Sequence, residues 1–328
     1  MRDESQHAGL RAEAVPGYRS ERKGREEREF MVIGHRGSPC EEPENTISSF
    51  ERAVTRDGAN ALELDLCMTA DGEIIIWHDW NPEDSVCQLR RAGLEPGVKY
   101  CPCFPDEERP VHTWKFQDFI AGHGYKTKED STLISDITIP TFGQFMAWTM
   151  RYDEIKTIFL DIKIPEAEIA LVPRMLSAIG SVLETYPANA RIVFETAFPA
   201  VIKAMKQCRP DDDYALDVEP AAGIVIRPSR YSGVRRALRH GNSVATLMRP
   251  HATTIAPWST HRRIIEHDVD LRGRHRRITG EHIDLVSFTV NDPGEMRSLI
   301  ALGVDGIQTN YPDRLRMVAE EMGVVEER

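Results

Sequence analysis

The stretch FMVIGHRG, residues 30–37, passes from an apolar run directly to a histidine, an arginine and a glycine. Comparable short β-type runs recur along the chain, and helical patterns lie between most of them. The runs are FMVIG (30–34), ALELDL (61–66), EIIIWHD (73–79), TIFLDIKI (157–164), RIVFET (191–196), DYALDV (213–218), SVATLM (243–248), IDLVSFTV (283–290) and GVDGIQT (303–309). Strands that alternate with helices predict a parallel sheet joined by right-handed crossovers.

Eight strand–helix units over about 290 residues predict an α/β fold, a TIM (β/α)₈ barrel. A doubly wound open sheet is the alternative, but it favours a glycine-rich turn after the first strand, and GHRGSP lacks the GxGxxG pattern. Residues 80–140, rich in Pro, Gly and Cys, predict an insertion after the second strand with one helix near residues 114–121. We expect residues 30–322 to form a single barrel domain, and residues 1–29 to be a disordered, highly charged tail.

The composition narrows the classes of function. A net charge of -11 over 328 residues argues against nucleic-acid binding. No apolar stretch approaches the ~20 residues that a membrane-spanning helix needs, and the first residues lack the apolar core of a secretory signal. We therefore expect a soluble, cytoplasmic protein whose six cysteines are reduced thiols. Nothing in the sequence indicates an oligomeric state.

Charged side chains concentrate where the predicted strands end, and in a barrel these ends share one mouth. They are His35, Arg36, Glu63, Asp65, His78, Asp161 and Lys163. Residues two apart in a strand point to the same face, so three carboxylates from neighbouring strands would converge and bind a hard divalent cation through oxygen. The alternative is a structural ion network in which Lys163 or Arg36 pairs with these acids.

The remaining polar groups suit acid–base chemistry on an anion. Histidines His35 and His78 can exchange protons near neutral pH, although each could instead be structural or a metal ligand. Arg36 and Lys163 supply positive charge for phosphate, and either could instead pair with the carboxylates. Glu44 either holds the ligand-binding residues in place without contacting the ligand itself, or is an acidic loop residue that faces solvent.

Several motifs, in this order and spacing, resemble the glycerophosphodiester phosphodiesterase family. They are His35-Arg36-Gly37, Pro43-Glu44-Asn45-Thr46, Glu63-Leu64-Asp65, and Asp71-Gly72-Glu73 running to His78-Asp79. Later segments agree, namely Ile139-Pro140-Thr141-Phe142, Asp161-Ile162-Lys163, Thr289-Val290-Asn291-Asp292-Pro293 and Gly303-Val304-Asp305-Gly306-Ile307. The resemblance spans residues 31 to 318.

The resemblance implies a TIM barrel, one divalent metal ion (Mg²⁺ or Ca²⁺), and hydrolysis of a glycerophosphodiester to an alcohol and glycerol 3-phosphate. It implies His35 and His78 as catalytic residues and Arg36 as a phosphate ligand. It implies metal ligands at Glu63 and Asp65, with Asp161 standing where the family usually has glutamate. The chain also departs from the family at Phe288, where tryptophan is common, and at Asn310, where aspartate is common.

Three alternatives stay open. One is phospholipase D-like cleavage of lysophospholipids or sphingomyelin, with a cyclic phosphate product, in which residues 80–140 form a lid. Trp80, Tyr100, Phe104 and Trp114 would then receive a head group or acyl chain, or else form a small satellite core. Another is a non-catalytic phosphate-binding barrel. The third is membrane contact through basic stretches at residues 227–240 and 261–277, which are otherwise solvated helix faces.

Overall fold

The structure, a computed structural model, describes residues 29–218, 230–249 and 258–326. The predicted tail, except Glu29, lies outside the described residues. The strands are β1 Met31–His35, β2 Ala61–Met68, β3 Ile74–Ile76, β4 Tyr100–Cys103, β5 Gly124–Thr127, β6 Thr157–Ile162, β7 Arg191–Thr196, β8 Asp213–Val218, β9 Val244–Met248, β10 Asp284–Phe288 and β11 Gly306–Thr309. The helices are α1 Ile47–Thr55, α2 Ser85–Arg91, α3 Phe116–Gly122, α4 Phe142–Thr149, α5 Val172–Thr185, α6 Pro199–Cys208, α7 Gly233–His240, α8 Trp258–Thr279, α9 Pro293–Leu302 and α10 Pro312–Glu321.

Parallel strands close into a barrel in the order β1-β11-β10-β9-β8-β7-β6-β2, and pairing between β1 and β2 completes the ring. The predicted TIM barrel is therefore confirmed, and the open-sheet alternative is wrong. The EIIIWHD run does not supply a barrel strand, because β3 is short and pairs antiparallel with β2. His78 thus follows a hairpin arm beside the barrel mouth, and not the end of a barrel strand as the sequence pattern predicted.

Apolar side chains fill the lower barrel and the layer between sheet and helices. The interior cluster includes Ile33, Phe159, Val193 and Val286, contributed by strands around the ring. Two larger clusters lie where the helices pack on the outside of the sheet. Because the core occupies these layers, the carboxyl ends of the strands are left for polar side chains, as is usual in this fold.

The chain between β2 and β6 forms a compact unit beside the barrel. It contains the two-stranded antiparallel sheet β4–β5 and the helices α2, α3 and α4. The helix predicted near residues 114–121 is α3. The four aromatic side chains proposed for a head group or acyl chain belong to or pack against the main hydrophobic cluster, which favours the satellite-core alternative.

The two basic stretches lie mainly on α7 and α8, while residues 227–229 fall outside the described residues. Arg272 is buried against Asp305, and Arg262 pairs with Glu266 four residues later. These contacts favour the interpretation of the stretches as helix faces. Across the described part of the chain, no helix is both long and apolar enough to cross a membrane.

Candidate active site

The barrel brings together all eight residues singled out from the sequence at the carboxyl ends of β1, β2 and β6. Strand register places His35 opposite Glu63 and Asp65 opposite Asp161. Lys163 follows β6, and its backbone N–H donates to Leu66 O at 3.1 Å. The side chains at these positions therefore converge because neighbouring parallel strands end at the same level.

Three carboxylates form the acidic cluster of the site. One oxygen from each of Glu63, Asp65 and Asp161 lies within 4.8 Å of the others. Burial, reinforced by the charge of Asp65, raises the pKa of Glu63 well above its usual value, and burial also raises the pKa of Asp161. Opposing burial, Lys163 and Arg36 hold the pKa of Asp65 well below its usual value.

This donor set fits a hard divalent cation. The cluster offers only oxygen ligands, and buried carboxylates repel one another unless a cation lies between them. Lys163 partly fills that role, since its Nζ lies 2.8 Å from Asp65 Oδ1 and also bonds to Asp161. The acidic cluster and the alternative ion network thus coexist, and the network leaves Glu63 without a lysine partner among the described residues.

Arg36 is held in a fixed position by three carboxylates. Its Nη1 donates to Glu44 Oε2 at 2.9 Å and to Glu95 Oε1 at 2.9 Å, and its Nε lies 3.0 Å from Asp65 Oδ2. Its backbone N–H donates to Glu63 Oε2 at 2.9 Å. These carboxylates raise the pKa of Arg36 despite its burial. Among the described residues none accepts a hydrogen bond from Nη2, which is therefore the nitrogen available to a ligand.

The Pro-Glu-Asn-Thr motif supports the site from below. Glu44 is buried between Arg36 and Arg90, so the solvent-facing alternative for Glu44 is wrong. Asn45, at φ 56°, donates from Nδ2 to Asp65 Oδ2 at 2.7 Å. Thr46 begins α1 by accepting from Ser49 N at 3.2 Å, which is a standard N-cap.

Gly37 allows this motif to approach the strand. Its φ is +91°, and a Cβ there would lie 2.7 Å from the carbonyl carbon of Ser49. The backbone N–H of Ser38 then donates to Ser49 Oγ at 2.8 Å. The first strand can therefore end on two basic residues because α1 packs directly beneath them.

In both histidines Nδ1 is bonded to a neighbouring side chain, which leaves Nε2 without that bond. His35 Nδ1 lies 2.7 Å from Asn310 Oδ1, and His78 Nδ1 lies 2.7 Å from Asp79 Oδ1. Since both partners are acceptors, each Nδ1 carries the proton and each Nε2 is left as a base. Burial and the charge of Arg36 lower the pKa of His35 to about 3. Burial, then Lys163 and other cations, lowers the pKa of His78.

Two site residues were missed by the sequence analysis, Arg90 on α2 and Glu95 just after it. Arg90 is only 3% exposed; its Nε donates to Asp79 Oδ1 at 3.0 Å, and its guanidinium also bonds to Glu44 and Glu95. No local pattern marks either residue, because both lie in the 80–140 segment and act on partners from other parts of the chain. Asn310, noted only as a departure from the family, proves to hold His35.

A closed parallel barrel with an oxygen-only acidic cluster, two histidines and an arginine at the carboxyl ends of its strands has the position of a TIM-barrel active site and the groups that metal-assisted phosphoryl chemistry uses. The chain matches the Glycerophosphoryl diester phosphodiesterase family over residues 35–314, and it belongs to that family of hydrolases. Members of the family generally depend on a divalent metal ion.

Known relatives agree with this assignment. The chain is 20% identical over 302 residues to a glycerophosphodiester phosphodiesterase of Bacillus subtilis, covering 88% of this chain and 86% of that protein. It is 21% identical to one of Bacillus altitudinis, covering 89% of this chain and 98% of that protein. Among solved structures, an Oleispira antarctica phosphodiesterase in complex with the product sn-glycerol-3-phosphate has the same fold, with a TM-score of 0.61, 18% identity and coverage of 89% and 97%.

Proposed function

We propose that this chain hydrolyses a glycerophosphodiester to an alcohol and glycerol 3-phosphate. The observation that carries the proposal is that the acidic cluster, the two histidines and Arg36 lie together at one barrel mouth. Family membership supports it, and so does the glycerol phosphate complex of the Oleispira protein. The substrate is thus a small molecule with one phosphodiester group.

One divalent ion, Mg²⁺ or Ca²⁺, would be held by Glu63, Asp65 and Asp161. When bound, it supplies positive charge that favours the charged phosphoryl group of the transition state. With it in place, Glu63 and Asp161 would ionise, since burial and mutual repulsion are what raise their pKa values.

Arg36 and Lys163 would bind the non-bridging phosphoryl oxygens. Arg36 Nη2 is directed by the three carboxylates on the same guanidinium, so it is already oriented before the substrate arrives. Lys163 lies between Asp65 and Asp161 and adds a second fixed cation. Such preorganised charge stabilises a transition state without reorganisation at the moment of reaction.

The two histidines would divide the proton transfers. His35 Nδ1 donates to the amide oxygen of Asn310, whereas His78 Nδ1 donates to the carboxylate of Asp79. A carboxylate partner stabilises an imidazolium. We assign His35 Nε2 as the base that takes the proton of the nucleophile. His78 acts as the acid in its imidazolium form, in which Nε2 has taken up a proton from solvent, and it gives that proton to the leaving alkoxide. The nucleophile is water or the substrate's own 2-hydroxyl, which has the proximity advantage and would give a cyclic phosphate first.

Phosphorus NMR of separate incubations with glycerophosphocholine and lysophosphatidylcholine tests the proposal. Samples with Mg²⁺ or Ca²⁺ run beside samples with EDTA and beside His35→Ala and His78→Ala variants. We expect glycerol 3-phosphate from the first substrate only with metal present and with both histidines intact. Near-wild-type turnover by both alanine variants would refute histidine catalysis, and silence of the wild type on both substrates would revive the non-catalytic barrel.

A second candidate, phospholipase D-like cleavage of lysophospholipids, is favoured by one observation. Val86, Leu89 and Leu94 are large apolar side chains that are more than half exposed, and they lie on the segment that supplies Glu95 to the site. They could receive an alkyl chain. Cyclic or lysophosphatidic products from lysophosphatidylcholine, without turnover of glycerophosphocholine, would establish this candidate.

Domain organisation and location complete the proposal. We propose one barrel domain over residues 30–322, with residues 80–140 as a small inserted region that completes the mouth. We also propose a cytoplasmic location, which cell fractionation of the tagged full-length chain would test.

A further inference from the structure

The segment 94–99, here named the strap, follows α2 and crosses the barrel mouth. It is tied at both ends and in its middle. The ties are Leu94 N to Leu89 O at 3.0 Å, Lys128 Nζ to Glu95 O, Asn310 Nδ2 to Pro96 O at 3.3 Å, and Lys99 N to Pro39 O at 2.9 Å. These partners belong to different parts of the barrel and of the 80–140 segment, so the strap is held in place from several sides.

Gly97 shows how closely the strap lies against the barrel loops. Its φ is +79°, and a Cβ there would lie 2.8 Å from Asn291 Nδ2 and 3.0 Å from Asn310 Nδ2. Both asparagines come from loops that follow barrel strands, β10 and β11. A strap packed this tightly does not swing aside easily, so Glu95 stays where the structure places it.

Glu95 places a carboxylate on Arg36 Nη1, which is next to Nη2, the nitrogen that would bind phosphate. Its Oε1 accepts from Arg36 Nη1 at 2.9 Å, and its other oxygen bonds to Arg90. Its side chain is 18% exposed, whereas those of Glu44 and Asp65 on the same guanidinium are 4% and 1% exposed. Glu95 is therefore the most exposed carboxylate of this group and the one that a ligand at the mouth can approach.

The charge of the ligand decides how strongly Glu95 opposes it. A phosphodiester carries one negative charge, whereas a phosphate monoester carries about 1.5 to 2 at neutral pH. Coulomb repulsion from a fixed carboxylate grows in proportion to ligand charge, and it is screened little in a partly buried site. Glu95 therefore repels a phosphate monoester more strongly than it repels a phosphodiester.

We propose that Glu95 is a specificity-determining residue that lets the site hold a phosphodiester monoanion and weakens binding of phosphate monoesters. The inference rests on the proposed function, because the monoester in question is the reaction product. A site with Arg36, Lys163 and a divalent ion would otherwise hold a dianion more tightly than its substrate. Glu95 thereby limits inhibition by product.

The experiment compares wild type with Glu95→Gln, Glu95→Asp and, as a matched control, Glu83→Gln. Glu83 is exposed on the same segment, so its replacement makes the same change in net charge. Inhibition constants for glycerol 3-phosphate and inorganic phosphate are measured beside KM for glycerophosphocholine, all at one divalent-ion concentration. We expect Glu95→Gln to lower both inhibition constants about tenfold and to change KM less than about twofold. Glu95→Asp, which keeps the charge, and Glu83→Gln should stay near wild type.

Three results would overturn the proposal. An equal fall in KM and in the inhibition constants would mean that Glu95 only occupies the phosphate position. Unchanged inhibition constants would mean that its charge is not sensed by the ligand. Loss of discrimination in Glu95→Asp as well would assign the effect to the strap's structure and not to its charge.

Calorimetry separates failure of this proposal from failure of the proposed function. If the wild type hydrolyses no diester, the proposed function is wrong. The affinities for inorganic phosphate and for dimethyl phosphate can still be compared, and these two ligands differ in negative charge as a monoester and a diester do. Tighter binding of inorganic phosphate alone in Glu95→Gln supports the charge effect. An equal change for both ligands, or no change for either, contradicts it.

Discussion

Replacing Arg90 by methionine removes the cation at the centre of the buried ion network. Arg90 is almost fully buried and bonds to Asp79, Glu44 and Glu95. Methionine has a similar length and no charge, so it fills the space without satisfying the carboxylates. Arg91, the next residue of α2, offers a matched control, because it is partly exposed and pairs with an exposed carboxylate.

The expected loss of stability depends on which cationic partners each of the three carboxylates keeps when Arg90 is replaced. Glu44 and Glu95 retain Arg36, whereas Asp79 retains only His78 among the described residues. Removing one partner of a buried ion pair costs about 3–5 kcal/mol. Since two of the three carboxylates keep a cation, we expect Arg90→Met to lower the free energy of unfolding by about 3 kcal/mol. Arg91→Met should lower it by about 0–1 kcal/mol.

Urea unfolding followed by circular dichroism measures both variants, with the slope of the transition compared to confirm that the same surface unfolds. At about 2 °C per kcal/mol, the melting temperature of Arg90→Met should fall by about 6 °C. If Arg90→Met and Arg91→Met differ by less than ~1 kcal/mol, the buried ion network contributes little to the stability of the fold. The 80–140 segment would then be held by its hydrophobic contacts alone.

Three further predictions test other parts of the structure. Gly37→Ala should destabilise the fold by about 2–5 kcal/mol in urea, from strain plus overlap with α1, whereas Gly323→Ala, also at positive φ but with open space around it, should cost about 1 kcal/mol. Two aspartate partners raise the pKa of His282, so its stabilising contribution is present below about pH 6.5 and disappears as pH rises through the folded-state pKa. The stability difference between wild type and His282→Gln should therefore be larger at pH 6 than at pH 9, and an equal difference at both would refute it. Asn310→Asp should raise the pKa of His35 from about 3, because a carboxylate favours the charged imidazole. The change is measured by NMR titration and as a shift of the acidic limb of the activity profile to higher pH. An unchanged titration of His35 would contradict its contact with residue 310.

The barrel and its acidic cluster were predictable because their signals are local. Apolar runs that end in charged residues mark β1, β2 and β6, and the spacing of Glu63 and Asp65 follows from the two-residue period of a strand. His78 was singled out from its motif, although the run before it forms a hairpin arm and not a barrel strand. A run of three isoleucines cannot show whether its partner strand is parallel or antiparallel.

The parts that escaped prediction depend on contacts between distant segments. Arg90 reaches Glu44 across 46 residues, and Glu95 reaches Arg36 across 59. Whether a charged residue in a Pro- and Gly-rich segment turns inward depends on how that segment packs, which no short pattern records. The burial of Glu44 could not be derived for the same reason, since its second cation comes from α2.

The hydrogen bond between His35 and Asn310 spans 275 residues, and the ring closes only when β1 pairs with β11. The acidic cluster is complete in the chain by residue 161, yet β11 ends at Thr309. At about 5–20 residues per second of synthesis, the ribosome needs roughly 7–30 s to make the part in between. During that interval β1 has an unpaired edge and His35 has no partner from the last loop. The arrangement around His35 is therefore completed late in the synthesis of the chain, and a product shortened by its final strand would carry all three carboxylates of the acidic cluster without the partner of His35.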